Sequence, residues 1–228
     1  MELGLGISSL DPRALLALQV KELGYRPLGS SQAVIMKKVD LNDIMGIAGY
    51  AKLRESLRQR IIALKKYRRV AVGNQVSLVF ENRDTVIFQI HEMLRAEHIT
   101  DLDKIREELE VYNGLIPEAG ELSATLFLEI EDQTHLREEL LKFLGIDEAV
   151  SLRVGSHKIR ARFEEGRSKE DKISAVQYVK FPFTPAALSS FVGAEEAELQ
   201  IDHPGYQARI VLAPETRKSL IADLTALH

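Results

Sequence analysis

An α+β fold is predicted for this chain, with N-terminal helices and a hairpin packed with a C-terminal antiparallel sheet. Three observations predict it. Apolar residues recur at helical spacing from Tyr50 to Tyr112. The run VAVGNQVSLVF alternates around Gly73–Asn74, the signature of a two-strand hairpin. After Gly120 the apolar period shortens from that of a helix to that of a strand, so helices come early and strands late.

Residues 1–35 read as an N-terminal extension with a short helix. Pro12 can open that helix after Asp11, and Gly24 can close it. YRPLGSSQ then reads as a linker, and Met36 begins a single α+β domain spanning 36–228, helical to about residue 120 and sheet-rich after it. Asp40 is the expected N-cap of a short helix weakened by Gly46 and Gly49. A longer helix is expected to run to about Arg69, burying Tyr50, Leu53, Leu57, Ile61 and Leu64. At about 100° per residue, Arg54, Arg58, Lys65 and Arg69 share a sector of roughly 60° beside that stripe.

A helix from about Thr85 to His98 carries Val86, Ile87, Ile90, Met93 and Leu94 on its apolar side, with Phe88 nearly opposite. Thr100 is the expected cap of the next helix, which buries Leu102, Ile105, Leu109 and Tyr112. Asn113–Gly114 supplies a left-handed stop. Strands are expected at LSATLFLEIE, AVSLRV, HKIRARFE, ISAVQYVKFPF, AELQID and YQARIVLA, with helical pieces near 133–144, 185–192 and 214–227.

The chain has no cysteine, which excludes disulfides, thiol catalysis and a self-ligated iron–sulfur cluster and fits a cytoplasmic location. No apolar run approaches the roughly 20 residues of a membrane helix, and the acidic start MEL is a poor export signal. The net charge of −4 hides an asymmetry: residues 37–100 hold 12 Lys/Arg against 7 Asp/Glu, while 101–228 are net acidic. Either the two parts pair, or the basic part binds an anion.

Candidate chemistry follows from these placements. Arg54, Arg58, Lys65 and Arg69 form a cationic stripe suited to a phosphate or carboxylate. The same stripe, on residues 52–69, is the only surface offered for nucleic acid, which net acidity and few aromatics disfavour. Internal pairing with Glu81, Glu92 or Glu97 is the structural alternative. Glu97 falls in the apolar stripe of its helix, so a buried ion pair with an arginine of the 54–69 helix is expected, or else a pocket carboxylate with an acid–base role. Glu92 and Arg95 are expected to pair with neighbours on the opposite face, as structure. His203, with Asp202 and Tyr206 in IDHPGY, is a second acid–base candidate, although a turn-stabilising histidine explains it as well.

No metal site is expected. His91 and His98 share a helix face but stand about 10.5 Å apart along the axis, too far for one ion. No cofactor is expected either, since neither GxGxxG nor a phosphate-loop lysine occurs.

From Met36 to Leu224 the chain resembles a bacterial family classed only as a domain of unknown function. The matching pieces are the Tyr50-x-x-x-Arg54-x-x-x-Arg58 spacing, RRV at 68–70, FENRDTV, QIHEMLRAEH, ELEVYNGLIP, KISAVQYVKFPFTP and DHPGY. The resemblance implies genes that tend to lie beside those of rubrerythrin-like proteins and iron–sulfur oxidoreductases. The resemblance therefore implies an accessory or binding protein of redox or oxidative-stress enzymes, with one of those as partner. An enzyme on a small anionic substrate is the other alternative, and homo-oligomerisation is left open.

Overall fold

The computed structural model describes residues 37–131, 134–164, 168–169, 172–194 and 196–226. The helix expected within 1–35 lies outside them. A 3-10 turn at Leu41–Asp43 comes first, closed by a reciprocal box in which Asp40 and Asp43 each accept the other's backbone N–H. Helix α1 (Ile47–Lys65) leads into the hairpin β1 (Arg69–Ala71) and β2 (Val76–Glu81). Helices α2 (Arg83–Ala96) and α3 (Leu102–Asn113) follow, then β3 (Glu121–Leu128), α4 (Leu136–Leu141), β4 (Val150–Val154), β5 (His157–Arg160) and β6 (Arg162–Phe163). A short ribbon β7 (Ser168–Lys169) and β8 (Lys172–Ile173) precedes β9 (Val176–Pro182), α5 (Pro185–Gly193), β10 (Glu198–His203), β11 (Tyr206–Val211) and α6 (Pro214–Leu224). No helix among the described residues is long and apolar enough to cross a membrane.

The α+β class holds, with two main sheets in place of one. The first has the order β1-β2-β3-β9-β6 and the second β11-β10-β4-β5, antiparallel throughout. The hairpin does not merely pack on the first sheet; β2 is hydrogen-bonded into it beside β3. Alternation sends Leu78, Phe80, Leu122, Leu126, Val179 and Phe181 to one face of that sheet. There they meet Val150, Leu152, Ile159, Leu199 and Ile201 of the second sheet, with Phe191 and Leu220 closing the core. The other face presents Ser77, Glu81, Ser123 and Thr125, and α2 and α3 cover it through a smaller cluster of Val86, Ile90, Leu94, Ile105, Leu109 and Ile116.

Three boundaries differ from expectation. Helix α1 stops at Lys65, because Phe80 N–H donates to Arg68 O at 2.9 Å and draws the next residues into the β ladder. Of its expected stripe only Tyr50 and Ile61 are buried, and Leu53 is 50% exposed, since α1 leans chiefly on α2. Asp101, not Thr100, caps α3. Gly114 is right-handed at φ −59°, so it is no left-handed stop. Asn113 instead holds the start of the domain: it accepts from Val39 N–H at 2.8 Å and donates to Val39 O at 2.9 Å.

Candidate functional site

Three of the expected charged residues, Arg54, Glu92 and Arg95, meet where α1 crosses α2. Glu92 accepts two hydrogen bonds from Arg54, at 2.7 and 2.8 Å, and one from the Tyr50 hydroxyl at 2.8 Å. Arg95 Nε stands 3.5 Å from the same carboxylate, within ion-pair distance but without the alignment of a hydrogen bond. The Arg54 fork, helped by Tyr50, holds the Glu92 carboxyl down at about 2 although partial burial opposes it. Burial first, and the hydrogen bond to Glu92 second, push the Tyr50 phenol up. His91 stacks on Tyr50 with ring centroids 4.8 Å apart. It accepts from Met45 N–H at Nε2, so Nδ1 carries the proton and donates to Ile87 O. Burial lowers the His91 pKa, consistent with a neutral ring.

The cationic stripe is dispersed. Arg58 is exposed and reaches only Glu55, at 3.7 Å, and half-buried Lys65 stands at the helix end. Arg69 lies on a strand, where it pairs with Glu129 at 2.7 Å and covers the Phe127 ring. The buried ion pair expected of Glu97 is not formed. The helix ends at Ala96, so Glu97 leaves the apolar stripe and is exposed. Glu81 is buried but takes no cation; Thr85, Gln89 and Thr125 donate to it at 2.5, 3.0 and 2.8 Å.

The late candidates are brought together only in part. His203 Nε2–H donates to Leu144 O at 2.8 Å and Nδ1 accepts from Gly205 N–H at 3.1 Å, so both ring nitrogens hold the connection between β10 and β11. Asp202 does not orient the ring and is exposed. The Tyr206 hydroxyl donates to Val72 O at 2.6 Å and accepts from Gln75 N–H at 3.1 Å, joining the second sheet to the turn of the first hairpin. Among the described residues no three of His, Cys, Asp and Glu converge on a cation position.

A ligand-sized opening lies elsewhere. A cavity of about 410 Å³ runs between α3 and the edge of the first sheet. Met93, Val111, Tyr112, Leu115, Phe163 and Tyr178 give it an apolar body, and Glu108, Glu164, Arg162 and Lys180 give it a charged rim. Val111 is 69% exposed beside it. Burial raises the Tyr112 phenol, with the neighbouring Tyr178 and Glu108 adding to it, so its hydroxyl stays a neutral donor and acceptor. Such a groove suits a ligand or short segment with an apolar body and mixed polar ends.

A family model described as "Protein of unknown function (DUF3501)" matches residues 38–224. The chain belongs to this family. A solved structure of a novel protein of unknown function from Burkholderia pseudomallei K96243 is 35% identical, covers 82% of this chain and 100% of that chain, and superimposes with a TM-score of 0.77. No curated protein matches. The span shared with the DUF3501 family begins at Lys38, whose ammonium donates to Asn113 O and Ile116 O, at 2.8 and 3.1 Å. It includes every residue of the helix-crossing cluster and of the groove.

Many groove residues lie in pieces that carry the family resemblance, such as ELEVYNGLIP and KISAVQYVKFPFTP, but nothing in the sequence joins them into one site, because they come from α2, α3, β3, β6 and β9 and meet only through the fold. Arg68 was equally silent. It is 1% exposed and donates to Phe80 O, Glu81 O, Ser219 Oγ and Asp223. RRV at 68–70 was visible, but nothing local distinguishes the buried arginine from its exposed neighbour.

Proposed function

We propose that the chain is a cytoplasmic accessory protein that works beside redox enzymes and holds a segment of its partner in the groove between α3 and the first sheet. The observation that carries this reading is the groove itself, ligand-sized, apolar within and bordered by both signs of charge. Of the two acid–base candidates, His203 supports the same reading, since both its ring nitrogens are committed to backbone groups. The family resemblance supplies the partner class, a rubrerythrin-like protein or an iron–sulfur oxidoreductase.

A pull-down from the native host at low oxygen tests it, with wild type and Val111→Asp as paired baits. Val111 is exposed, so the substitution leaves the fold intact while placing a charge in the apolar body. Wild type should recover a partner of that class, and the variant should lose it by about tenfold or more, as expected when a buried contact receives an unpaired charge. Failure of wild type to recover either partner overturns the redox reading. Equal recovery by both baits moves the docking surface off the groove.

A further inference from the structure

The two sheets part along the strand that runs from His157 to Phe163. Its first portion, β5, pairs with β4, and its second, β6, pairs with β9. Continued in register, the β6–β9 ladder would set Arg160 opposite Pro182. A proline has no N–H to give, and β9 ends there. A wedge-shaped cavity of about 400 Å³ opens at that point.

The wedge is lined by His157, Lys158, Arg160, Arg162 and Thr184 among others, and by no acid. Its backbone faces the same way. Ala161 N–H donates to Val150 O at 3.0 Å, so by antiparallel alternation Lys158 and Arg160 turn their own N–H and C=O groups away from β4, toward the opening. Among the described residues no acid lies within ion-pair distance of Lys158, Arg160 or Arg162. Arg153 stands directly across from Lys158 in the β4–β5 register, and like charges placed so are destabilising. Thr184 caps α5, whose positive end adds to the field.

We propose that this wedge binds a small oxyanion bearing more than one negative charge, of the phosphate or carboxylate kind. Arginine forks and outward N–H groups are the donors such an anion takes, and the volume lies in the range of about 300–1,000 Å³ typical of small-ligand sites. A nucleic-acid strand fits poorly, because no Phe, Tyr or Trp lines the wedge as a platform for successive bases to stack on. An added peptide strand fits poorly too, since β5 is only 4 residues long.

Calorimetric titration of the full chain with inorganic pyrophosphate and with citrate, at low ionic strength, tests the site. Each probe represents one source of the charge. Wild type should bind at least one of them at one ion per chain, and Lys158→Gln/Arg160→Gln should bind it about tenfold or more weakly, the loss expected for charge-assisted hydrogen bonds. Both residues are exposed, so the double variant should keep its urea midpoint. Binding of pyrophosphate alone would identify a phosphate site, and binding of citrate alone a carboxylate site. No saturable binding of either probe, or equal binding by the double variant, overturns the proposal. Absent binding together with self-association of the double variant would instead assign these cations to shielding an open sheet edge.

Discussion

Arg68 concentrates more of the fold's polar bonding than any other side chain described. Its removal leaves Asp223 without its cation and two carbonyls, of Phe80 and Glu81, without that donor. Burial already pushes the Asp223 carboxyl up, against the pull of Arg68 and Asn82. Arg68→Ala should therefore cost about 3–5 kcal/mol in urea unfolding, whereas Arg68→Met with Asp223→Leu, which removes both charges, should cost far less. Glu92 gives a second prediction, in pH. Its folded pKa lies below the ordinary glutamate value because of Arg54, so its contribution is present above that ordinary value, near 4.5, and is lost as pH falls toward about 2. The gap in urea midpoint between wild type and Glu92→Gln should be constant from pH 6 to 5 and close below about 4.5.

Elements with a strong internal period were legible from sequence, and their ends were not. The hairpin, α2, α3 and the late strands follow alternation or helical spacing that burial on one face imposes. The end of α1 is set by the ladder bond from Phe80 N–H to Arg68 O, 12 positions on, and no Gly or Pro marks it. The end of α2 likewise has no signal: His98 takes φ +54°, an unusual conformation for a side-chain residue, and Glu97 leaves the helix as a result. Asn113, beside the predicted stop at Gly114, is a clamp on Val39. Asn113→Ala should free both backbone groups of Val39, at a cost of about 1–3 kcal/mol, and amide exchange at Val39 should quicken well beyond that at core strands such as β3.

Across the whole molecule, the basic early part and the acidic late part do pair, but at few points. Arg68–Asp223 and Arg69–Glu129 cross between them, while Arg54–Glu92, Arg60–Asp84 and Arg83–Asp43 stay within the early part. The unpaired cations that cluster around a cavity belong to the late, net acidic part. Charge summed along the chain therefore located neither the groove nor the wedge. Both arise where strands from distant positions meet, so the family and fold class were readable from residues in order and the surfaces were not.

The Tyr206 hydroxyl also has a consequence for how the chain is made. Its bond to Val72 spans 134 residues, and an ideal Cβ placed on Gly73, at φ +76°, would lie 2.3 Å from that hydroxyl. The turn of the first hairpin is thus shaped for a residue made long after it. Until β11 emerges, Val72 O lacks this donor and Arg68 lacks Asp223, so the early hairpin waits with its polar groups in water. Folding of the N-terminal part therefore waits on residues made much later, and the nascent chain spends that interval with an open β-sheet edge for chaperones to guard.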